Sequence, residues 1–248
     1  MGSSTRRYLT STALMFALWQ LGAMKLGREI LLPAPLAVLR RAWQIAGAPI
    51  FLSTVVITLL RFLIGFLIAF LLAFMLGVLS GRYLMVYEYL APFVQLVRAV
   101  PTVSIILLVL IWLRSQLAPI LVGGLMAFPI LYFNVVEGIR SVDGKLLEMA
   151  KVFCLSPGRV FSRIYLPSLT NYVMAGLASA AGLGLKMVIA AEVFAQPKAG
   201  IGTQFQVARQ SLDTPALFAW AAIVVLLCAL VDGLLKLVKI QNPARHNG

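Results

Sequence analysis

The sequence predicts an all-α integral membrane protein. Of its 248 residues 61% are hydrophobic and only 12% are charged, and the mean hydropathy of +0.97 lies far outside the range of soluble domains. The apolar runs are long and lack the alternation of a membrane β-strand, so each has to satisfy its backbone hydrogen bonds internally, as a helix. A span needs about 20 residues to cross roughly 30 Å of hydrocarbon, and by that measure the chain holds about six. They lie near residues 8–24, 54–80, 88–113, 116–136, 169–192 and 216–240.

The first run follows Arg6 and Arg7 in the manner of a secretory signal, but no small-residue cleavage site follows it, and it reads as a retained span. Pro33 and Pro35 then mark an extended entry into an amphipathic helix on the outer membrane surface. Residues 1–50 therefore form an N-terminal unit ahead of a core at 51–240, with a tail at 241–248. The second span ends in Gly77-Val-Leu-Ser-Gly81, a spacing that allows close helix approach. Arg98 and Pro101 interrupt the third.

The fourth span runs into the one substantial polar interval, from Glu137 to about Ser168. Leu146, Met149, Ala150 and Phe153 recur there at helical spacing, which predicts a helix over about 144–153 with an apolar stripe. Ser156-Pro157 reads as an N-cap with proline at the first helical position, opening a second helix to about Tyr165. Leu166-Pro167 is expected to turn the chain into the fifth span. Ala191 to Phe205 reads as a Pro- and Gly-punctuated connection on the outer side.

A net charge of +13 would suggest nucleic acid in a soluble protein. In a membrane protein it is better explained by basic residues retained in cytoplasmic segments. With the N-terminus inside, the cytoplasmic segments hold Arg6, Arg7, Arg82, Arg140, Lys145, Lys151, Arg159, Arg163, Lys236, Lys239 and Arg245. The outer ones hold only Lys25, Arg28, Arg40, Arg41, Arg114, Lys198 and Arg209. This orientation puts the polar loop in the cytoplasm.

Catalytic readings find little to work with. Cys154 and Cys228 are placed neither for a disulfide nor for a metal, and the only histidine, His246, sits in the tail. No G-x-x-x-x-G-K-[ST] phosphate loop, G-x-S-x-G elbow or H-E-x-x-H pair is present. Charges inside spans are costly and rarely face lipid, which singles out Arg61, Arg98, Lys186 and Glu192, with Glu88 and Glu137 nearer the ends. Lys186 and Glu192 are separated by about 9 Å along a helix axis and fall on different faces. Arg98, Lys186 and Glu192 are candidates to line a pathway for a polar or anionic solute; the alternative is that they pair or snorkel and hold the bundle together. Gly182, Gly184, Gly200 and Gly202 read equally as packing positions or as hinges.

In the polar loop, Glu148, Ala150, Ile164, Leu166 and Pro167 stand at the spacing of the EAA motif. The chain thereby resembles the inner-membrane permease subunits of bacterial ABC importers. It departs from the motif at Met149, where Ala is common, and at Cys154, where Gly is expected. Looser likeness at Leu32, Ser53 to Gly65, Leu96 to Ser104, Gly138 to Asp143 and Ala191 to Gly202 is similar to the branch handling nitrate, sulfonates, taurine and thiamine-precursor pyrimidines.

The resemblance implies a type I importer fold in the bacterial inner membrane, with the loop of 138–168 forming coupling helices that dock on an ABC ATPase. Glu148, Met149, Ala150, Phe153, Cys154, Ile164, Leu166 and Pro167 would belong to that contact. It further implies a second permease copy, an external solute-binding protein and surrounding lipid, with ATP and Mg on the ATPase and no cofactor on this chain. An ion-coupled secondary transporter and a membrane-embedded enzyme or scaffold are the rival readings. A Gly at position 154 would suit a left-handed residue, which a Cys adopts at a cost of about 1 kcal/mol. The turn there is therefore expected to be strained or rearranged.

Overall fold

A computed structural model of the chain describes residues 3–241, so Arg245 and His246 lie outside the described residues, as do the side chains of Lys236 and Lys239. Among the described residues every regular element is a helix. In order they are α1 (Ser3–Leu26), α2 (Pro35–Ala46), α3 (Ile50–Arg82), α4 (Leu84–Ala99), α5 (Thr102–Trp112), α6 (Ala118–Arg140), α7 (Gly144–Val152) and α8 (Pro157–Val160). A π-helical turn (Phe161–Tyr165), α9 (Leu166–Ala195), α10 (Ile201–Gln210) and α11 (Thr214–Gln241) complete the chain.

Four helical runs have the length and apolarity to cross a membrane: α3, α6, the run from Pro157 to Ala195, and α11 through Leu235. The expected third span is the pair α4 and α5, bent by 101°. Pro101 explains the break, because it supplies no N–H and drives the preceding residue out of helical geometry. Val100 is accordingly extended, at φ −71° and ψ 132°. The expected first span is the 24-residue helix α1. Its serines, threonines, Gln20 and Lys25 leave it short of the apolarity of the four, so α1 does not bear out the first span.

The bundle is built on α6, which lies between α3 and α9. Small residues let the backbones close in. A Cβ on Gly124 would stand 2.7 Å from the carbonyl oxygen of Gly65, and one on Gly81 would stand 2.5 Å from Ile139. The Gly77–Gly81 spacing thus serves the approach it predicts, against Val135 and Ile139 of α6. Gly65 meets Ile120 and Gly81 meets Ile139, so α3 and α6 run in the same direction. Gly123 meets Val188 and Gly138 meets Leu169, so α9 runs opposite.

Two parallel neighbours oblige the chain to travel back between them. It leaves α3 where the Arg140 guanidinium lies 3.9 Å from the Tyr87 ring centre. It arrives where Ile106 and Val109 of α5 pack with Ala118 and Val122 of α6. The bent pair therefore spans the bundle from end to end and does not return to the side it came from.

Two expectations in the polar regions are corrected. Leu166-Pro167 does not turn the chain: α8, the π turn and α9 form one continuous run. A proline in a regular helix would clash with the carbonyl four residues back. The wider turn just before Pro167, in which the Leu166 N–H donates to the Phe161 carbonyl, accommodates the ring without breaking the helix. The 191–205 stretch is also less irregular than it reads, since α9 continues to Ala195 and α10 begins at Ile201. At that end of the bundle Arg41 of α2 binds Asp213 at 2.6 Å, and the Thr214 hydroxyl donates to the Ile30 carbonyl at 2.7 Å.

Candidate functional site

The polar loop projects from the bundle end where α3 and α6 finish. Asp143 caps α7, its carboxylate accepting the Lys145 N–H at 2.9 Å. Ser156 holds the N-cap position before Pro157, but its side chain makes no capping bond. Between the helices Cys154 is left-handed, at φ 49°. The Leu155 N–H donates to the Ala150 carbonyl at 2.9 Å and the Cys154 N–H to the Lys151 carbonyl at 3.0 Å. These are the two bonds of a Schellman stop, in which glycine is the usual left-handed residue. The expected strain at Cys154 is present, and the turn keeps its standard form.

The motif residues divide between two directions. Ala150 and Ile164 are buried, whereas Glu148, Met149, Phe153, Cys154, Leu166 and Pro167 are exposed. The apolar stripe is therefore not uniform: Ala150 turns inward while Leu146, Met149 and Phe153 turn outward, joined by Val152. Phe153 is 70% and Val152 79% exposed. Beside them Glu148 forms no ion pair with any described residue, including the loop's own Lys145, Lys151, Arg159 and Arg163. On the inner side, Arg82, Leu147, Ala150, Lys151, Leu155 and Tyr165 contribute to a hollow of about 580 Å³.

The intramembrane charges separate into three settings. Glu192 is fully enclosed and Arg61 is 7% exposed. The Arg61 guanidinium donates to Glu192 Oε1 at 2.6 Å, to the Ala199 carbonyl at 2.6 Å and to Gln116 Oε1 at 2.7 Å. Glu192 also accepts from the Thr58 hydroxyl at 3.0 Å and from the Gly202 N–H at 2.9 Å. The cluster ties α3, the turn before α6, α9 and the start of α10 into one unit. Gly200 and Gly202 belong to it, since a side chain at either would collide with Glu192. Arg61 and Glu192 are each visible in the sequence as intramembrane charges, but their pairing over 131 positions is not.

Lys186 is exposed on the face of α9 toward α11, near Cys228. On the same face Gly182 adjoins Asp232, yet no salt bridge joins Lys186 to a described residue. Arg98, in the last turn of α4, lies over Phe133 at 5.7 Å and borders a cavity of about 250 Å³ at the α4–α5 break. The structure thus places the three pathway candidates apart from one another.

Residues 69–239 match the family model described as the binding-protein-dependent transport system inner membrane component. The chain is also similar to the putative aliphatic sulfonates transport permease protein SsuC of Bacillus subtilis, at 28% identity over 92% of this chain and 83% of that one. With the taurine transport system permease protein TauC of Escherichia coli it shares 26% identity over 94% of this chain and 87% of the other. With the riboflavin transport system permease protein RibX of Chloroflexus aurantiacus it shares 28% over 93% and 88%.

Proposed function

Because the chain belongs to the family of binding-protein-dependent transport system inner membrane components, we propose that it is the membrane-spanning subunit of an ATP-driven importer. Two copies form the pathway in the bacterial inner membrane, with their N-termini in the cytoplasm. Each docks an ABC ATPase, which carries the ATP and Mg, while a binding protein delivers the solute from outside. This chain itself holds no cofactor.

The observation that carries the reading is the outward side of the polar loop. Large apolar side chains exposed on a membrane-spanning helix are covered by lipid, but α7 lies beyond the ends of α3 and α6, where Leu146, Met149, Val152 and Phe153 need a protein partner to leave water. Phe153 has the size and exposure of an anchor for a partner's pocket, and the uncompensated Glu148 supplies a directional charge beside it. Ala150 and Ile164, held inward, connect that contact to the bundle. When the ATPase dimer closes, the force enters through α7 and passes along the unbroken run from Pro157 to Ala195. The spans then expose the pathway to one side and afterwards to the other.

The similarity to the sulfonate and taurine permeases supports a small sulfonate-like anion as the solute. A neutral heterocyclic nutrient, such as a thiamine-precursor pyrimidine, is the second reading, favoured by the similarity to the riboflavin permease. The test is ATP hydrolysis by the chain co-purified with its ATPase. Glu148→Arg and Phe153→Ala are expected to abolish association and coupled hydrolysis while leaving the chain monodisperse in detergent. Undiminished association in both variants would refute docking through α7. Deleting the loop is not informative, because residues 157–165 open the same continuous run as the span.

A further inference from the structure

The cavity at the α4–α5 break is bordered by Arg98 and Thr102 from the broken span, Met126 and Pro129 from α6, and Leu183 and Met187 from α9. Met126 and Pro129 lie in the middle third of α6, so the cavity sits near mid-depth, the most expensive place in a bilayer for a cation. Arg98 nevertheless is exposed at the open side of this cavity in the single chain and has no salt bridge with any described residue. None of the eight acidic residues of the chain borders the cavity. Of the nearest carboxylates, Glu192 is held by Arg61, Glu88 stands ten positions earlier on α4, and Glu137, one turn beyond Phe133 on α6, makes no salt bridge with Arg98. What holds Arg98 is the face of Phe133, which supports the guanidinium without using its hydrogen-bond donors.

An unpaired guanidinium in such a place, opening on a hollow of about 250 Å³, has the charge and the room for an anion of a few heavy atoms. Lys186 does not compete for this role. Leu183 and Met187 present one face of α9 to the cavity, whereas Lys186 looks toward Cys228 of α11.

We propose that this cavity is a transit site for small oxyanions of the sulfonate or sulfate type, with the Arg98 guanidinium as the charged contact and the Thr102 hydroxyl as its polar neighbour. The proposal rests on the importer reading and narrows it to an anionic cargo read partly by the permease itself. Thr102 now donates only to the Met126 sulfur, at 3.9 Å, a weak bond that an oxyanion would readily replace.

The test places a thiol on the apolar wall of the cavity, Leu183→Cys in a Cys154→Gly, Cys228→Ala background, and reads how fast it reacts in the purified full chain. A sulfonate-bearing thiosulfonate reagent is compared with its trimethylammonium counterpart. With Arg98 present the anionic reagent is expected to be favoured, and Arg98→Gln to lower the anion-to-cation rate ratio about tenfold, as loss of one nearby charge at partial screening implies. Arg98→Lys should keep most of the preference.

In the Arg98-containing protein, millimolar sulfate or taurine should slow the labelling, while the same concentration of choline should not. An unchanged ratio in Arg98→Gln, the absence of protection by both anions, or an introduced thiol unreactive to both reagents would overturn the proposal. The protection measurement needs no change at Arg98, so misfolding of an Arg98 variant does not protect the idea, and a monodisperse elution of the thiol-bearing protein checks its own fold. None of these readouts uses the ATPase, so a failed anion site is distinguishable from a failed importer assignment.

Discussion

Cys154 concentrates a conflict between backbone and side chain in one residue. Its left-handed φ of 49° is the geometry that the Schellman bonds of Ala150 and Lys151 require, and Gly would adopt it without a Cβ penalty. Cys154→Gly should therefore stabilise the chain by about 1 kcal/mol, seen as a higher midpoint of thermal unfolding in detergent. A lowered midpoint would mean that the exposed thiol contributes packing not evident from its position. Arg61 and Glu192 pose the opposite case, in which removal is costly. Arg61→Met would strand an enclosed carboxylate, a loss of about 3–5 kcal/mol, and the variant should fail to accumulate in membranes. Arg61→Lys should recover only part of this, because a single ammonium cannot serve Glu192, Ala199 and Gln116 together as the guanidinium fork does. Full recovery by Lys would show that charge alone matters there.

Between helices, the closeness of α3 and α6 depends on positions where no side chain fits. Gly124→Leu would drive a side chain into the Gly65 backbone, which cannot give way without parting the two helices. The expected outcome is loss of the monodisperse species on size exclusion. Gly158→Ala is the control, since a Cβ there meets open space, and it should be neutral. The same scale explains what the chain reveals before it folds. Four of the six expected spans, the amphipathic α2, the Gly77–Gly81 approach and the interruption at Pro101 are legible because each is set by local composition or by one residue's missing N–H. The continuity of Pro157 to Ala195 is not legible, because whether a proline ends a helix or is absorbed by a π turn depends on hydrogen bonding five residues away. The Arg61–Glu192 clasp is hidden for a related reason, since spacing along the chain carries no information on which intramembrane charges meet. At the loop, the motif spacing points to the right segment, but only the fold shows that Ala150 faces inward while Phe153 faces out.

On the scale of the whole molecule the spans give direction to the charge. α3 and α6 both finish at the end carrying Arg82, Arg140, Lys145, Lys151, Arg159 and Arg163, and α9 departs from it. The other end holds α2 and α10, where Arg41 is used in the ion pair with Asp213 that straps α2 to the bundle. If basic residues fix orientation by remaining in the cytoplasm, the first end lies inside. The chain provides its own reporter for this, because Cys154 is exposed in the loop whereas Cys228 is buried in α11. In the chain expressed without its ATPase, a membrane-impermeant maleimide should label Cys154 in inside-out vesicles and leave it unlabelled in right-side-out ones. Lys198→Cys, in the connection before α10, should show the reverse pattern and confirm that both vesicle types are sealed. Labelling of Cys154 from outside would place α7 where no ATPase exists. The exposed Phe153 and Glu148 would then have to serve an external partner, and the direction of force transmission along Pro157 to Ala195 would be lost with the orientation.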